Sequence, residues 1–578
     1  MKASDYIVSF LINKNITDVF GYPGGMVTHL MDSFDKFSSS ITAHTTYHEQ
    51  AAAFAACGYA QASGKVGVAY ATSGPGATNL VTGIANAYFD SIPTIFITGQ
   101  VNTYEQKGDL RVRQKGFQEM DVVKIVEPIT KYAVKIENAE SLSFELEKAY
   151  NIAISGRKGP VLLDIPMNIQ RADIDVSKSH IDKEESRFEI ADEVTIQKYV
   201  RLIQEFLSTA KRPLIIAGKG IYASDEVHSF RKLIRKLGIP VVSSMIAVDC
   251  LGTEDLNYYG FIGAYGHRYA NFAVTKSDLI ITIGTRLDSR QTGNNKDSFG
   301  VNAKLIRVDI DTCEFDNKIK ENEIQLHCDL KELLCCLLNS NFQLPLPSYT
   351  NWLKECRYLK ENLKNIDMEE GNKVVTKLSE ILDNDIILTT DVGQNQVWIA
   401  QSFCFKNGQK VLFSGGHGAM GYSLPAAIGA YFGSRKKVIS FNGDGGIQMN
   451  IQELNFIATT QIPIKIVIFN NSSLGMIRHF QEMYFESNYM QTKAEKGYNV
   501  PDFKKIAEAY GIRTYVVSSK EDMTFLKDVM QDNYPAFIIV EMSDNTYVYP
   551  KLAYNKPIYD QEPLMDRQLL KHLEEFEI

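Results

Sequence analysis

The sequence predicts an α/β protein of three doubly wound αβ domains with parallel sheets, and three observations favour this class. The chain has 578 residues, too many for one hydrophobic core and suited to three domains of ordinary size. Apolar runs typical of buried strands alternate with helical patterns, as in parallel sheets covered by helices on both faces. Two segments interrupt the alternation: Arg171 to Val194 is charged and poor in apolar residues, and Leu338 to Asn351 has two prolines after an amphipathic helix. We therefore expect domains at 1–170, 190–340 and 352–545, followed by a C-terminal arm at 546–578.

Composition narrows the functional class. The 44% hydrophobic and 22% charged residues are ordinary for a globular protein, and no apolar run reaches the roughly 18 residues that span a bilayer. A net charge of −8 argues against nonspecific nucleic-acid binding. The N-terminal segment lacks the patterns of a signal or transit peptide, so we expect a cytoplasmic protein. The eight cysteines form no CxxC pair and are expected to be reduced packing residues.

In the first domain, Glu49 is predicted to begin a helix of small residues. An acidic residue in a first helical turn is usually an exposed group that offsets the helix dipole. Here residues 51–56 are five alanines and a phenylalanine, so we expect Glu49 to be buried. A buried carboxyl group can exchange a proton near neutral pH. Glu49 is therefore a candidate general acid–base.

The middle domain has glycines at the end of a predicted strand. The segment RPLIIAGKGIY places Gly218 and Gly220 directly after that strand, which weakly suggests a dinucleotide-binding turn. An ordinary αβ turn explains these two residues equally well. The domain lacks a full GxGxxG pattern, so a nicotinamide-dependent oxidoreductase is the less favoured class.

The third domain places a phosphate loop and a metal-binding pair at opposite ends of one strand–helix–strand unit. KKVISF predicts a strand, Gly443 to Gly446 a tight turn, Asn450 to Thr460 a helix, and IPIKIVIF the next strand. The glycines let backbone N–H groups approach a phosphate, while Asp444 and Asn471 offer oxygen ligands. We predict a Mg²⁺ site with a phosphate as co-ligand. A pair of ordinary turns is the alternative.

The last segment, 546–578, has three prolines followed by a short helical pattern. Two interpretations are equally open for such a segment. It is either a surface tail or an arm that folds over the active site.

The motifs of the three domains together resemble one family. GYPGG (21–25), HEQ (48–50), TSGPGATNLVTGIANAY (72–88), TDVGQNQVW (390–398), SGGHGAMGY (414–422), GDGG (443–446) and NNSSLGMIR (470–478) follow the order found in the acetolactate synthase (acetohydroxyacid synthase) large-subunit family. The resemblance implies a thiamin diphosphate (ThDP)-dependent transferase, a carboligase that decarboxylates pyruvate and transfers the two-carbon acetyl unit to a second carbonyl compound. It also implies ThDP, Mg²⁺ and FAD as cofactors. A homodimer or homotetramer with active sites at the subunit interface is expected.

The resemblance also assigns roles to domains and residues. In chain order, the domains would bind the ThDP pyrimidine, FAD, and the ThDP diphosphate with Mg²⁺. Glu49 would pair with the aminopyrimidine ring, and Met420 would support the bent cofactor, although an isolated methionine is more often a core residue. The implied metal ligands are Asp444, Asn471 and the backbone carbonyl of Ser473. Further ThDP contacts would come from Val392, Gly393, Gln394, Asn395, Gly418, Gly443, Gly445, Gly446, Gly475 and Met476. The substrate end would be formed by Gly25, Gln100, Phe117, Gln118 and Phe480, and the FAD contacts by Gly218, Gly284, Arg286, Asp288, Arg290, Asp309 and Asp329.

Several positions depart from the family pattern. Phe480 replaces a tryptophan, Ala264 and Tyr265 replace Met-His, Met167 replaces a lysine and Asn395 replaces a histidine. The loop between Gln100 and Phe117 is longer than in the family, and its cations are Lys107, Arg111, Arg113 and Lys115.

These departures leave the acceptor open. A wider pocket rimmed by cations would suit a large anionic acceptor, such as a nucleotide-activated ketosugar in branched-sugar or cell-surface polysaccharide biosynthesis. Sequence drift with a solvent-exposed basic loop is the alternative. A noncatalytic scaffold is a third hypothesis, and the intact Glu49, Asp444 and Asn471 argue against it.

Overall fold

The computed structural model describes residues 1–175, 190–340 and 348–577. Residues 176–189 and 341–347, which belong to the two predicted breaks, lie outside the described part of the chain. The described residues form three six-stranded sheets, and the strands of each pair in parallel, which confirms the predicted fold class. None of the helices in these ranges has the length and apolarity needed to cross a lipid bilayer.

The first sheet contains β1 (Asp18–Gly21), β2 (Thr42–Thr45), β3 (Gly67–Ala71), β4 (Thr94–Gln100), β5 (Tyr132–Lys135) and β6 (Pro160–Pro166). Its order is β2-β1-β3-β4-β6-β5. Strands β3, β4 and β6 are buried along their whole length, as their continuous apolar runs predict. The helices of this region are α1 (Ala3–Asn13), α2 (Thr28–Lys36), α3 (Glu49–Ser63), α4 (Pro75–Phe89), α5 (Val122–Val126), α6 (Leu142–Ile154) and α7 (Met167–Gln170).

The middle sheet contains β7 (Pro213–Ala217), β8 (Val241–Ser243), β9 (Tyr258–Phe261), β10 (Leu279–Ile283), β11 (Lys304–Asp309) and β12 (Ile324–His327). Its order is β12-β11-β10-β7-β8-β9, the order of doubly wound sheets that bind dinucleotides. The direction of winding reverses between β7 and β10. Gly218 follows β7 directly, and Gly284 follows β10 directly. The helices of this region are α8 (Glu193–Thr209), α9 (Gly220–Ala223), α10 (Val227–Leu237), α11 (Arg268–Lys276), α12 (Ser289–Thr292) and α13 (Leu330–Asn339).

The third sheet contains β13 (Ile386–Thr390), β14 (Lys410–Leu412), β15 (Lys437–Gly443), β16 (Ile464–Asn470), β17 (Arg513–Ser518) and β18 (Ala536–Glu541). Its order, β14-β13-β15-β16-β18-β17, repeats the connectivity of the first sheet, and its winding reverses between β13 and β15. The helices of this region are α14 (Thr350–Leu363), α15 (Glu370–Ile381), α16 (Gln394–Ser402), α17 (Ser423–Ser434), α18 (Asp444–Ile447), α19 (Leu454–Thr460), α20 (Gly475–Tyr484), α21 (Phe503–Ala509) and α22 (Leu526–Gln531).

Helix α14 packs on the middle sheet, although the sequence places it in the third domain. Its Trp352 and Leu359 are buried in one core with Leu214 and Ile216 of β7. The Trp352 indole N–H also donates to the carbonyl of Pro213 at 2.9 Å. An apolar helix face packs on the nearest uncovered sheet, and a proline-rich break before it does not decide which sheet that is.

The C-terminal segment folds back as an arm across the middle domain. It contains β19 (Lys551–Leu552), β20 (Gln561–Glu562) and α23 (Arg567–Glu575). Ile558 and Leu573 are buried in the same core as Trp352. The buried Arg268 guanidinium donates to the carbonyls of Gln561 at 2.9 Å and Pro563 at 2.7 Å. The segment is therefore packed rather than a surface tail, and these contacts are with the middle domain.

Helices α3 and α17 join the first and third domains. A Cβ at Gly58 would collide with the carbonyl of Ala426, and one at Gly429 would collide with the carbonyl of Ala55. The two backbones therefore approach as closely as small residues allow. This contact explains why the start of α3 is a run of buried alanines.

Candidate active site

The predicted phosphate loop lies where the winding of the third sheet reverses. Loops that follow β13 and β15 meet there, at the carboxyl ends of the strands, which is the usual ligand position in such sheets. A Cβ at Gly446 would stand 2.7 Å from Asp391 Cγ, so glycine is required for the two loops to meet. Asp391 accepts hydrogen bonds from Val392 N–H at 2.7 Å and Gly421 N–H at 3.0 Å. Burial raises the pKa of this carboxyl to about 7.

The turn predicted at Gly443 to Gly446 is shorter than expected. Strand β15 continues to Gly443, and α18 begins at Asp444. The helix predicted at Asn450 to Thr460 is an α-helix only at Leu454–Thr460, after a 3₁₀ segment in which Asn450 has a φ of −136° that is not helical. Its side chain donates to the carbonyl of Gly421 at 2.8 Å and to Gln50 Oε1 at 3.1 Å. These long-range bonds replace the local helical pattern.

The amide of Asn471 is fixed by two neighbours. Gln394 Nε2 donates to the carbonyl of Thr546 at 2.9 Å, which turns Gln394 Oε1 toward Asn471. Asn471 Nδ2 then donates to Gln394 Oε1 at 2.9 Å and to Thr546 Oγ1 at 2.7 Å. If the Asn471 amide were rotated by 180°, its oxygen would face Gln394 Oε1, and two acceptors would lie in contact. Asn471 therefore directs Oδ1 toward Asp444.

Three oxygens converge as a result. Asn471 Oδ1 lies 2.9 Å from the carbonyl oxygen of Ser473 and 3.1 Å from Asp444 Oδ2. The backbone N–H of Ser473 donates to Asn471 Oδ1 and to Asp444 Oδ2, both at 3.3 Å, and a cation that joins the three oxygens would compensate their close approach. Octahedral Mg²⁺ with Mg–O distances of about 2.1 Å would place adjacent ligands about 3.0 Å apart. The three residues assigned to the metal fit it.

Asp444 is held from its other side. The hydroxyl of Tyr498 donates to Asp444 Oδ1 at 2.8 Å, which leaves Oδ2 for the cation. The side chain is buried, and that burial raises the pKa of Asp444 to about 6. A buried carboxyl group of this kind gains most from a bound cation. Tyr498, Thr546 and the network they form are not visible in the sequence pattern.

Glu49 is buried at the start of α3, as expected. Its side chain is 8% exposed, and Asn79 Nδ2 of α4 donates to Oε2 at 2.9 Å. Gly76 leaves room beside the carboxylate, because a Cβ there would lie 3.3 Å from Oε1. Among the described residues, no hydrogen bond joins Glu49 to residues 444–446 of the same chain.

The segment before α3 contacts the third domain through Glu453. Tyr47 N–H donates to Glu453 Oε1 at 2.8 Å across this junction. Glu453 is fully buried, and burial raises its pKa to about 8. The sequence analysis missed this residue, for which a lone acid within the apolar pattern of 447–457 was the available signal.

Gln100 is buried and fully hydrogen-bonded within the first domain. Its Nε2 donates to the carbonyl of Met120 at 2.7 Å and to Asp164 Oδ2 at 2.9 Å, while Oε1 accepts from Val101 N–H at 3.0 Å. This pattern leaves no amide proton of Gln100 free for a ligand. Burial raises the pKa of Asp164 to about 7, so the pair is a buried polar contact rather than an open subsite.

The other substrate-end residues face the surface of this single chain. Gly25 is exposed in a short turn, and Phe117 is 78% exposed. Gln118 packs against Gly74, because a Cβ built at Gly74 would stand 2.9 Å from the Cβ of Gln118. Phe480 of α20 is 47% exposed. Among the described residues, no hydrogen bond joins these four residues to one another.

Several residues predicted to contact ThDP surround the phosphate loop, residues 443–446, which also carries the metal ligand Asp444. Gly475 must be glycine, because a Cβ would collide with Gln394 Oε1. Asn395 is buried with an unpartnered Oδ1, and its Nδ2 would lie 3.4 Å from a Cβ at Gly393 and 3.5 Å from one at Gly443. The two distances at Asn395 are ordinary van der Waals contacts, so its side chain lies beside both glycines.

Met420 also lies at this loop rather than in the core. The side chain is half-buried, and its Cε would stand 3.2 Å from a Cβ at Gly445. Gly418 is exposed with a φ of +70°, a conformation that favours glycine. The position of Met420 therefore supports the cofactor interpretation over a core methionine.

A cleft of about 320 Å³ opens beside the middle sheet, at the reversal between β7 and β10. Six of the seven residues assigned to FAD line it, namely Gly284, Arg286, Asp288, Arg290, Asp309 and Asp329. The seventh, Gly218, does not line the cleft but packs against Gly284, which does. A Cβ at Gly218 would collide with the carbonyl of Gly284. Met476 lines the cleft as well.

The cleft also contains unpartnered polar atoms. Lys219 Nζ, Ser244 Oγ and Gln396 Oε1 are buried without a hydrogen-bond partner, and all three residues line the cleft. Burial lowers the pKa of Lys219. Unpartnered buried polar groups indicate a polar ligand. None of these three residues was found from the sequence.

The residues that depart from the family pattern are placed differently. Ala264 and Tyr265 line the cleft, while Met167 is half-buried at the end of β6. Arg111 and Arg113 are exposed and form no ion pair within the described residues.

The basic loop is organised by Glu119 rather than by a pocket. Its carboxylate accepts from the backbone N–H groups of Lys107 at 2.7 Å, Lys115 at 2.9 Å and Gly116 at 3.1 Å. Against the opposing effect of burial, these donors hold the pKa of Glu119 below its usual range. The loop therefore has its own structure, and its arginines face solvent as the alternative interpretation expects.

Comparisons with known proteins identify the family of all three domains. Residues 1–125, 200–337 and 391–540 match the N-terminal TPP binding domain, the central domain and the C-terminal TPP binding domain of thiamine pyrophosphate enzymes. The acetolactate synthase large subunit of Lactococcus lactis is 36% identical over 95% of this chain and 94% of its own length. The acetolactate synthase isozyme 2 large subunit of Escherichia coli is 34% identical over 95% and 97%. A probable acetolactate synthase large subunit of Methanocaldococcus jannaschii is 36% identical over 93% and 91%.

The similarity covers nearly the whole chain and every domain, and it includes both halves of the predicted cofactor site. The chain therefore belongs to the acetolactate synthase large-subunit family of thiamine pyrophosphate enzymes.

Proposed function

We propose that this protein is a carboligase that decarboxylates one pyruvate and joins its two-carbon acetyl unit to a second pyruvate, giving acetolactate and CO₂. The observation that carries the proposal is the convergence of Asp444, Asn471 and Ser473 oxygens at the phosphate loop. The names of the similar proteins support the choice of substrate.

The residues of this chain would orient the cofactor and move one proton. When bound, ThDP supplies the electron sink that lets a 2-oxo acid lose CO₂ and its remaining carbon unit attack a carbonyl. Asp444, Asn471 and Ser473 would hold Mg²⁺ against the diphosphate. Glu49 would exchange a proton with the aminopyrimidine ring, and its burial keeps water from that exchange.

The other hypotheses are less well supported. The comparisons do not favour a large acceptor such as a nucleotide-activated ketosugar, and the solvent-facing Arg111 and Arg113 give no pocket for it. A noncatalytic scaffold would not need to retain Glu49 with its Asn79 partner and the complete set of three oxygens.

Pyruvate turnover tests the function directly. The purified protein is incubated with pyruvate, ThDP and Mg²⁺, and the products are identified by mass. We expect acetolactate and CO₂ from pyruvate alone, with rates that Arg111→Ala and Arg113→Ala leave unchanged. Pyruvate consumption only when a nucleotide-activated ketosugar is added would refute the acceptor. No consumption by protein that binds ThDP would refute the activity.

We propose FAD as the ligand of the cleft beside the middle sheet. The dinucleotide-type strand order, the glycines at its reversal and the three unpartnered polar atoms support it. Visible flavin absorbance of the purified protein is the measurement. In this family FAD is largely structural, so its presence would not imply redox chemistry.

We propose that the active unit is at least a homodimer. Several large apolar side chains next to the metal loop and α20 are exposed in the single chain, namely Met449, Ile477, Phe485 and Met490. Exposed apolar groups that cluster at a site indicate an interaction surface. The exposed Phe117 and Phe480 would also gain a partner there.

Mixing two inactive variants tests where the site is built. If Glu49 of one chain faces Asp444 of another, a hybrid of Glu49→Gln and Asp444→Ala chains contains one intact site out of two. Random exchange at equal concentrations makes half of the dimers hybrid, so activity should return to about a quarter of wild type. No recovery despite proven subunit exchange would favour sites built within one chain.

A further inference from the structure

Helix α4 of the first domain ends at a carboxylate that bonds to the third domain. Asp90 follows Phe89, the last residue of the helix. Its Oδ2 accepts from Gly415 N–H at 3.0 Å, and its Oδ1 accepts from Gly416 N–H at 2.7 Å. A negative charge at the C-terminus of a helix opposes the helix dipole. Asp90 therefore does not stabilise α4, and its hydrogen-bond donors are two N–H groups of another domain.

The two glycines make this contact possible. A Cβ at Gly416 would stand 2.9 Å from Phe89 Cβ and 3.1 Å from Asp90 Oδ1, and a Cβ at Gly415 would stand 2.5 Å from Ile246 Cγ2. An alanine at either position would require the backbone or its neighbours to move. Burial raises the pKa of Asp90, and the two N–H groups oppose that effect.

A second bond joins α4 to the same stretch, residues 414–419, which we call the glycine segment. Ser414 Oγ donates to the buried Asn86 Oδ1 of α4 at 2.6 Å and accepts from Ala419 N–H at 3.0 Å. Residues 416–418 are exposed in the single chain. An exposed stretch of backbone has few packing contacts, so its conformation depends on the bonds that hold it.

Met420 follows the glycine segment directly, and the backbone is fixed on both sides of it. Asp90 holds the segment that precedes it. After it, Gly421 N–H donates to the buried Asp391 at 3.0 Å. Met420 and Gly418 would contact the rings of ThDP, whereas the metal site would hold the diphosphate. The bonds of Asp90 therefore bear on the part of the site that receives the rings.

We infer that Asp90 is a positioning residue that holds the glycine segment in the conformation that binds the rings of ThDP. This inference rests on the proposed function, in which ThDP is the cofactor. Without the carboxylate, the segment would populate other conformations. The apparent affinity for ThDP would then be the intrinsic affinity multiplied by the fraction of molecules in the binding conformation. The metal site is built from other residues, so its affinity for a diphosphate group should not change.

Two ligands test the two parts of the site separately. ThDP and inorganic diphosphate are each titrated into the purified protein with Mn²⁺ as the metal, and binding is measured by calorimetry. In Asp90→Asn, the amide NH₂ group faces one of the two glycine N–H groups, so one bond is lost and two donors oppose each other. We expect the ThDP affinity to fall about 10- to 100-fold and the diphosphate affinity to stay within about 2-fold of wild type.

Asp278→Asn is the matched control. Asp278 also accepts from two consecutive backbone N–H groups, those of Lys211 at 2.7 Å and Arg212 at 2.9 Å, but these bonds lie within the middle domain. Both affinities of this variant should equal those of wild type. Ser414→Ala removes the other bond between α4 and the glycine segment, and it should lower the ThDP affinity alone, by about 3- to 10-fold.

An unchanged ThDP affinity in Asp90→Asn overturns the inference, and so do equal losses for both ligands, which a general loss of structure would produce. If Asp90→Asn is not obtained folded, either result in Ser414→Ala overturns it. A wild type that binds ThDP but consumes no pyruvate refutes the proposed function and leaves the role of Asp90 in place. A wild type that binds no ThDP overturns both.

Discussion

A Glu49→Gln variant is expected to bind ThDP normally and to lose proton exchange at the thiazolium C2 position by about 10²–10⁴-fold, the usual effect of removing a general acid–base. Glutamine has the same size, and its Oε1 can still accept the bond from Asn79 Nδ2, so α3 should keep its position. The variant differs from wild type in the exchangeable proton alone. Calorimetry measures ThDP binding, and NMR of acid-quenched samples measures the C2–H exchange.

The matched control is Glu453→Gln. Glu453 is a buried glutamate at the same domain junction, and the variant retains an acceptor for Tyr47 N–H. We expect its C2–H exchange to stay close to wild type. Exchange at the wild-type rate in Glu49→Gln would remove Glu49 from the mechanism, and equal losses in both variants would indicate a general effect of charge at the junction.

The parts of the fold that could be predicted have local signals. Strand burial and glycine turns repeat every few residues, so the three parallel sheets and the loops at Gly218 and Gly443 followed from the pattern. Burial of Glu49 also followed, because the alanine run after it excludes solvent. The alanines serve a contact with α17, which the sequence alone does not show.

The features that were missed depend on distant partners. Thr546 fixes the amide of Asn471, 75 residues away, and Asn450 leaves the helical conformation where its side chain donates to Gly421 and Gln50. Contacts of this kind leave no periodicity in the chain, so propensity and spacing cannot reveal them.

Residue types could be predicted better than the orientations of their side chains, because orientation also depends on distant partners. Gln100 matched a family position, yet the structure engages its whole amide with Met120, Asp164 and Val101. A motif gives the identity of a side chain, whereas its neighbours decide which of its atoms are free. At the metal site, a change of a metal ligand should therefore have a larger effect than a change of a residue that orients one.

Asp444→Ala should abolish tight binding of Mg²⁺ and ThDP, with a loss of more than about 100-fold, because the only carboxylate among the three converging oxygens is removed. High concentrations of both ligands should restore part of the binding by mass action. Binding of Mn²⁺, followed by electron paramagnetic resonance in the presence of ThDP, gives a measurement that does not depend on activity. Affinity equal to wild type would show that the loop is structural.

The orientation of Asn471 predicts a smaller, specific effect at Thr546. Thr546→Val keeps the shape of the side chain but removes the oxygen that accepts from Asn471 Nδ2 at 2.7 Å. The amide can then rotate and withdraw Oδ1 from the cation, so Mn²⁺ affinity should fall about 10–100-fold, as is typical for residues that orient a ligand. Thr546→Ser keeps the hydroxyl and should bind within a few-fold of wild type. Equal affinities of the valine and serine variants would mean that the hydroxyl does not orient Asn471, and the three oxygens would then owe their convergence to the backbone of the loop alone.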